Sequence, residues 1–511
     1  MRNIKLTAKL LTLACLVAAL GSCTDLEEQL NDSFSEDFTP ANTQGATNVT
    51  RSTPDDGLEG AFARLRNGSA NHQNYFSMQE VTTDEAVITQ KGGDWFDGGI
   101  WIDAHQHNWN STHPALNGMW GDAYSAIGEA NRLIADGAGG AAGVAQLRVL
   151  RAFVVWKLMD SFGRVKIPTA LGTDVPQSSR VDAFNFIESE LLASLADLPQ
   201  GRAEYGRVSN LSAQAFLSRL YLNAKVYTGT ARWQEAIDAA DVVINSGEYS
   251  LSGDFSDIFS PENIDNPEHI WTIPYDEATA GGMNFAQMTL HYPSQLTYNL
   301  TEQPWNGYSS LEAFYNSFDD ADARKAASFI AGEQFDINGN PILDLAFDPD
   351  DPDGAPINYT PAINELFPSG SRQAGVRMGK YSSKLRQRAD MDNDYVLFRL
   401  AEVHLNRAEA QSRLAGNWNA GLADVNAVRA RAGATAFTTM TAADFLAERG
   451  REMFQESQRR IDLIRFDAWG DAWWEKPAHN DAFKNVFPIP NDQILASQSE
   501  AFPLTQNPGY N

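Results

Sequence analysis

The chain contains very little cysteine. Only two of its 511 residues are cysteines, and both, Cys15 and Cys23, lie near the N-terminus. Beyond Cys23 the sequence therefore offers no thiol for a disulfide bond, a thiolate metal site or a cysteine nucleophile. Stability has to come from the packed core, and the length allows one large domain or two to three ordinary ones.

Basic residues are also scarce. Lysine and arginine together number 39 against 66 aspartate and glutamate residues, so the formal net charge is −27. Such a field repels phosphate backbones and anionic lipid, which argues against nucleic acid as a partner. The acidity fits a neutral ligand or a body that stands off a membrane surface. It equally fits a protein that only needs to stay soluble.

The N-terminus lacks an apolar run of the roughly 20 residues that a bilayer-spanning helix needs. Leu10 to Leu20 is apolar, and residues 1–9 carry three basic residues and no acid. This pattern is typical of a secretory signal. Residues 20–23, Leu-Gly-Ser-Cys, resemble the bacterial lipobox, whose cysteine is lipidated and becomes the first residue of the mature protein. The sequence predicts a signal peptide over residues 1–22 and a lipid anchor on Cys23, with an ordinary signal peptide as the alternative.

Residues 23–53 are predicted to be a lipidated, flexible tether, since they are rich in Asp, Glu, Asn, Ser and Thr and show no sustained periodicity. Asp25, Glu27 and Glu28, just behind Cys23, resemble the surface-export signal of Bacteroidetes lipoproteins. We expect residues 54–511 to form a single domain.

Helical patterns in this domain come in pairs. Apolar residues follow a helical period from Ser212 to Val226, Gly229 ends that helix, and a second period runs from Trp233 to Ile244. The same order returns at 400–414 and 418–428, and a third pair is expected between Trp120 and Phe162. Paired helices of this kind resemble tetratricopeptide repeats.

Residues 252–392 interrupt the pairs with long stretches rich in Gly, Pro, Asn and Asp, and we interpret them as a ligand-facing insert. The acidic run at 348–353 offers oxygen ligands for calcium but lacks the twelve-residue calcium-loop pattern, so a solvated loop is the favoured interpretation. No other cofactor is expected.

Several blocks, taken in order, resemble the SusD/RagB family of Bacteroidetes outer-membrane lipoproteins. They are Leu-Arg-Ala-Phe at 150–153, Val-Ile-Asn-Ser-Gly-Glu-Tyr at 243–249, Arg-Leu-Ala-Glu-Val at 399–403, Arg-Ala-Glu-Ala at 407–410, Asn-Ala-Val-Arg-Ala-Arg-Ala-Gly at 426–433, Arg-Arg-Ile-Asp-Leu-Ile-Arg at 459–465, Phe-Pro-Ile-Pro at 487–490 and Gln-Asn-Pro-Gly-Tyr at 506–510.

The resemblance implies a mainly α fold, in which a tetratricopeptide-like helix-turn-helix scaffold carries a large, irregular, loop-rich ligand-binding region. It also implies a binding protein, not an enzyme, that captures oligosaccharides, or peptides in some members. Its partner would be a SusC-like TonB-dependent transporter in the outer membrane. A surface glycoside hydrolase and a RagB-like peptide binder are the rival functions.

Charged residues within these blocks are expected to be structural. Glu402, Arg407 and Glu409 share one predicted helix. Another predicted helix carries Glu448, Arg449, Glu452 and Arg459. Such residues can form a buried or half-buried charge network that fixes how helices pack. A role as catalytic acids would need a cleft and a second carboxylate at a defined separation.

Two segments have the composition of a glycan site, in which aromatic planes stack on sugar faces and polar neighbours bind the hydroxyls. The first is Gly-Gly-Asp-Trp-Phe-Asp-Gly-Gly-Ile-Trp at 92–101, and the second runs from His291 to Tyr308. We predict Trp95 and Trp305 as stacking platforms with Asp94, Asp97 and Asn306 as hydrogen-bonding partners. Trp101, Tyr292, Tyr298 and Tyr308 are further candidates, although the surroundings of Trp101 and Trp109 favour a place in the core. Flat faces and negative charge point to a neutral, glucan-like ligand.

A further short motif contains several histidines, and a zinc site is one interpretation of it. His105, His107 and His113 lie close together in sequence, and two imidazoles two residues apart share one face of a strand. Because no recognised motif supplies a third ligand, hydrogen-bonded histidines are the favoured interpretation.

Overall fold

The computed structural model describes residues 53–345 and 354–510. Cys23, the signal peptide, the acidic residues at 25–28, nearly all of the tether and the acidic run at 348–353 lie outside the described residues, so their assignments stay predictions. Within the two described ranges, no helix is both long and apolar enough to cross a bilayer.

Helices dominate the described residues. In chain order they are α1 (Glu59–Asn67), α2 (Tyr75–Glu80), α3 (Ile100–His105), α4 (Pro114–Ala135), α5 (Gly140–Phe162), α6 (Arg180–Ser194), α7 (Asn210–Leu222), α8 (Ala224–Thr228), α9 (Trp233–Asn245), α10 (Phe285–Thr289), α11 (Gln295–Tyr298), α12 (Glu312–Tyr315), α13 (Ala323–Ser328), α14 (Leu400–Ala415), α15 (Leu422–Arg431), α16 (Ala442–Met453), α17 (Arg459–Arg465) and α18 (Asn491–Ala496). Short 3₁₀ helices lie at Asp97–Gly99, Ser256–Phe259, Tyr292–Ser294, Trp418–Gly421, Ala482–Asn485 and Ser497–Ser499.

Strands are short and pair two by two, all antiparallel. They are β1 (Ala86–Ile88), β2 (Val165–Lys166), β3 (Gln177–Ser178), β4 (His269–Ile273), β5 (Tyr308–Ser310), β6 (Phe329–Ile330), β7 (Gly332–Glu333), β8 (Leu343–Asp344), β9 (Ala355–Pro356), β10 (Asn358–Tyr359), β11 (Arg377–Met378) and β12 (Tyr395–Arg399). The pairs are β1 with β5, β2 with β3, β4 with β12, β6 with β11, β7 with β10 and β8 with β9.

The predicted helix pairs are present. α4 packs against α5, α7 against α9, and α14 against α15, while α9 also packs against α14. One boundary differs, because the helix predicted from Ser212 to Val226 breaks at Asn223. The Asn223 amide donates to the Arg219 carbonyl (2.9 Å), and its oxygen accepts from Arg465 (2.9 Å). A side chain that bonds the backbone in this way competes with the helical hydrogen-bond ladder.

The charged residues of α14, α16 and α17 form a buried network, as predicted, although Arg459 begins α17 and does not lie on the helix that carries Glu448 and Glu452. Arg219 of α7 binds Glu402 across 2.6 Å, and both side chains are at most 2% exposed. Burial alone would raise the pKa of Glu409, but the Arg465 guanidinium, 2.7 Å away, lowers that pKa to about 2. Loss of one member of such a pair leaves a buried charge and costs about 3–5 kcal/mol, so the network fixes how these helices pack.

The pairing of β1 with β5 brings two distant segments together. Ile88, the last residue of β1, lies opposite Tyr308, the first residue of β5. Because the strands are antiparallel, the chain leaving β1 and the chain entering β5 meet at the same end of this small sheet. The glycine-rich segment at 92–99 and the segment ending at Gly307 are therefore neighbours.

Candidate ligand-binding site

Trp95 and Trp305 lie side by side at the surface. The indole Nε1 of Trp95 donates a hydrogen bond to the main-chain carbonyl of Trp305 across 2.6 Å. Trp305 is 37% exposed and Trp95 is half-buried. The two segments chosen from sequence, separated by about two hundred residues, thus form one surface.

A tight turn presents Trp95. Lys91 and Asp94 exchange two main-chain hydrogen bonds of 2.9 and 3.0 Å across the Gly92-Gly93 pair. Gly92 takes a φ of +61°, which glycine adopts without steric cost, whereas Trp95 takes a φ of +63°, which is rare for a bulky side chain. Strained backbone of this kind persists only where the surrounding structure fixes it, and it is frequent at ligand sites.

The turn that carries Trp305 is bonded to α10 and the residue after it. The main-chain N–H groups of Trp305, Asn306 and Gly307 donate to the carbonyls of Gln287 (2.6 Å), Leu290 (2.9 Å) and Met288 (2.6 Å), respectively. A Cβ on Gly307 would lie 2.9 Å from the Trp95 ring. Only glycine at this position lets the Trp95 indole approach so closely.

Carboxylates and a phenol border the two indoles. Asp94 is exposed and accepts a short hydrogen bond from the Tyr292 hydroxyl, which is half-buried. Burial and this carboxylate raise the pKa of Tyr292, so it remains a hydrogen-bond donor at neutral pH. Asp97, also exposed, accepts from the Trp101 indole N–H at 2.8 Å.

Four of the predicted contact residues are buried and present no surface to a ligand in this structure. Trp101 is 3% exposed, Tyr298 2%, Asn306 0% and Tyr308 0%. Trp101 instead packs beside Trp95, with ring centroids 6.3 Å apart. We therefore assign these four residues to the support of the surface and not to direct contact with the ligand. For Trp101, its surroundings in the sequence already favour a place in the core.

Asn306 shows how a buried residue supports the site. Its oxygen accepts from Arg377 at 2.8 Å, and its amide nitrogen donates to the Arg372 carbonyl at 3.0 Å. Asn306 takes a left-handed φ of +60°, which asparagine tolerates better than most residues. The side chain thus holds the Trp305 turn to the segment at 372–377.

Two residues at the site escaped the sequence analysis. The His72 ring lies edge-on to Trp305, with centroids 5.3 Å apart, and its Nδ1 is hydrogen-bonded with the Asn284 side-chain amide at 2.8 Å. Burial lowers the pKa of His72 to about 4, so the ring is uncharged at neutral pH. No periodicity marks a lone histidine in the loop at 71–74. Phe96, 49% exposed beside Trp95, could have been chosen from its place in the glycine-rich motif.

The histidines considered for zinc are engaged elsewhere. His105 bonds the Trp474 carbonyl (2.7 Å) at the end of α3, not on a strand, and His107 lies between the Thr82 carbonyl and His479, 2.8 Å from each. His113 begins α4 as its N-cap. Within residues 53–345 and 354–510, no group of three or more His, Cys, Asp or Glu residues has the arrangement of a metal site.

Known proteins with similar sequences point to one family. Residues 364–510 match the model of the SusD family. The chain is 27% identical over 409 residues to the starch-binding protein SusD of Bacteroides thetaiotaomicron, with 72% of each chain covered. It is 23% identical over 412 residues to the SusD-like protein P25 of Formosa agariphila, with 70% of each chain covered.

Solved structures share the fold. The surface glycan-binding protein A from Bacteroides thetaiotaomicron, in complex with laminarihexaose, is similar with a TM-score of 0.69 at 21% identity, covering 88% of this chain and 98% of that one. A laminarin-binding SusD-like protein gives a TM-score of 0.69 at 21% identity, covering 89% and 98%. The mainly α fold predicted from sequence is confirmed, and the match of residues 364–510 to the family model, together with these relatives, supports the resemblance to SusD-like proteins.

Proposed function

We propose that this protein is a non-enzymatic glycan-binding lipoprotein of the cell surface. It captures oligosaccharides and delivers them to a SusC-like TonB-dependent transporter in the outer membrane. The observation that carries the proposal is the pair of neighbouring, partly exposed indoles of Trp95 and Trp305. Indole faces stack on the apolar C–H faces of sugar rings, and the two rings together offer a platform for adjacent sugars.

The polar groups at this platform favour a neutral sugar. Asp94 and Asp97 are exposed acceptors for hydroxyl donors. The same carboxylates, in a chain of net charge −27, repel the anionic groups of uronates and sulfated sugars. Starch and laminarin, which appear in the names of the relatives, are both neutral glucans, and this supports a glucan-like ligand.

The proposals of a lipid anchor and of a transporter partner rest on the sequence. The lipobox-like run at 20–23 supports a lipid anchor on Cys23, and several acyl chains hold a soluble body at a membrane far more firmly than one. Similarity to SusD-like proteins supports the transporter as partner. Labelling with radioactive palmitate, compared between the wild type and Cys23→Ala, tests the anchor.

Affinity electrophoresis tests glycan binding. The purified protein is run through native gels containing starch, laminarin, xylan, mannan or pectin, beside Trp95→Ala and Trp305→Ala. A central tryptophan of a binding surface contributes at least about 2 kcal/mol, roughly thirtyfold in affinity, so each substitution should abolish retardation by the bound glucan. Phe502→Ala is the matched control, because Phe502 is 46% exposed and its N–H bonds Asp174, outside the indole surface.

Other outcomes distinguish the rival functions. Retardation that survives both tryptophan substitutions would place the glycan elsewhere on the protein. Retention on peptide mixtures, with no glycan bound, would favour a RagB-like peptide binder. Release of reducing sugar from any of the polysaccharides would show a glycoside hydrolase.

A further inference from the structure

Lys91 is a buried lysine that bonds across the two turns carrying the indoles. Its side chain is 0% exposed, and the ammonium donates to two main-chain carbonyls, those of Gly307 (3.1 Å) and Thr89 (3.3 Å). Thr89 and Lys91 belong to the chain leaving β1, whereas Gly307 precedes β5. The lysine therefore joins the two turns that carry the indoles.

This position is expensive for a cation. In the described part of the chain, the hydrogen-bond acceptors of the Lys91 amine are these two carbonyls, and neither carries a full charge. Burial, together with the nearby Arg377 guanidinium, lowers the pKa of Lys91 well below its ordinary value, and the Asp94 carboxylate opposes this shift only in part. An apolar side chain of similar length would avoid the burial of a charge but would leave the Gly307 and Thr89 carbonyls without this donor. What the lysine supplies, and an apolar residue cannot, is the hydrogen bond to the Gly307 carbonyl that joins the two turns.

The amine acts together with two other contacts between the turns. The Trp95 indole donates to the Trp305 carbonyl across 2.6 Å, and the Trp95 ring fits against Gly307, where a Cβ would lie 2.9 Å from it. We call these contacts of Lys91, Trp95, Trp305 and Gly307 the inter-turn latch. All three end on the main chain of 305–307, so each of them helps to set where the turn that presents Trp305 lies relative to Trp95.

We infer that Lys91 is a positioning residue that fixes the spacing of the Trp95 and Trp305 indoles and thereby selects the curvature of the oligosaccharide that the platform accepts. The inference that Lys91 affects which oligosaccharide is bound rests on the proposed function. A chain of β-1,4-linked glucose is nearly straight, whereas α-1,4- and β-1,3-linked chains curve. Two planes held at a fixed spacing and angle match one curvature better than another, because misplaced rings lose stacking contacts.

The spacing is tested first without a ligand. The twelve tryptophans are labelled as 5-fluorotryptophan, and the ¹⁹F resonances of Trp95 and Trp305 are assigned from Trp95→Phe and Trp305→Phe. Lys91→Met should shift both resonances while leaving the melting temperature within a few degrees of the wild type. Lys225→Met, an exposed lysine on α8, is the control and should shift neither. Unchanged resonances in Lys91→Met would overturn the inference.

Selection is tested with maltohexaose, laminarihexaose and cellohexaose in titration calorimetry. We expect Lys91→Met to weaken the best-bound hexaose at least fivefold and to reduce the ratio between the best and worst affinities. An equal loss for all three hexaoses, or none, contradicts the selection. If the wild type binds none of these sugars, the proposed glucan binding fails, and the fluorine resonances still decide whether Lys91 holds the two indoles.

Gly307→Ala tests the same latch without touching a buried charge, should Lys91→Met fold poorly. The added methyl group meets the Trp95 ring and the Met288 carbonyl, each at 2.9 Å. It should move the Trp95 resonance and alter the ranking of the three hexaoses. An unaltered ranking with a displaced Trp95 resonance would show that indole spacing does not select the ligand.

Discussion

The Trp95 indole is held by the main chain of Trp305, not by its side chain: the acceptor of the 2.6 Å hydrogen bond is the Trp305 carbonyl. The two tryptophans therefore depend on each other unequally. Removing the Trp305 side chain leaves the acceptor in place. Removing the Trp95 side chain deletes one plane and also removes a hydrogen bond to the turn that presents the other.

This asymmetry gives a ranked prediction. Trp95→Ala should weaken glucan binding more than Trp305→Ala, by a further threefold or more. Trp95→Phe, which keeps a plane but has no N–H donor, should lie between the wild type and Trp95→Ala. Dissociation constants from calorimetry on one glucan oligosaccharide give the order, and equal losses in the two alanine variants would contradict it.

Asn306 allows its backbone strain to be separated from its side-chain bonds. Asn306→Ala and Asn306→Gly both lose the bonds to Arg377 and the Arg372 carbonyl, but only alanine is strained at a φ of +60°. The alanine variant should therefore be less stable than the glycine variant by about 1 kcal/mol, the cost of a left-handed conformation for a residue with a Cβ. Urea denaturation measures the difference, and equal midpoints would show that the turn relaxes in both.

Binding should respond to the protonation of His72. Burial lowers the pKa of His72 to about 4, so the ring is neutral throughout the range from pH 5.5 to 8. Affinity for the glucan should be constant over that range. As pH falls through about 4, the ring becomes a mostly buried cation beside the Trp305 indole, which disfavours its present position.

Calorimetry at pH 3.8 and 7 compares the wild type with His72→Gln, which has no titrating ring. We expect a loss of affinity at the lower pH in the wild type and a smaller one in the variant. A wild-type loss near pH 6.5 would mean that His72 titrates as a solvent-exposed imidazole does.

Glu80 should make the protein less stable at higher pH. One of its oxygens accepts from the Ser457 N–H (2.7 Å), the side chain is 0% exposed, and burial raises its pKa to about 8. Between the ordinary value of 4.5 and 8, the folded state therefore binds more protons than the unfolded state, and the free energy of unfolding falls as pH rises. Glu80→Gln keeps an oxygen for Ser457 and should reduce that decline, adding about 1–3 kcal/mol at pH 8.

Chemical denaturation at pH 5 and pH 8 measures both free energies. Glu312→Gln, an exposed carboxyl on α12, is the control and should leave the pH dependence unchanged. Glu85 also has a raised pKa and lies near Glu80. Part of the decline in stability with pH should therefore survive in Glu80→Gln and disappear when Glu85→Gln is added. A wild-type protein equally stable at the two pH values would refute the protonated state of Glu80.

Local patterns predicted the scaffold because the period of a helix is visible in residues that are close together in sequence. The spacing around Ala236 and Ile237 gave α9, and Gly229 ends α8 with a φ of +80°. The break at Asn223 was missed, since it depends on a bond from Arg465, a residue distant in sequence. The charge network of α14 and α16 was predicted because residues of both signs lie close together on the same helices.

By itself, the sequence determined the paired-helix scaffold, the family resemblance and the choice of two aromatic segments, because composition and short-range period express them. Tertiary structure alone decided that these segments form one surface, through the pairing of Ile88 with Tyr308. It also decided which aromatics face solvent: Trp305 does, whereas Tyr298 and Tyr308 are buried. Exposure and the approach of His72 and Lys91 depend on contacts between residues far apart in the chain, and neither composition nor spacing carries that information.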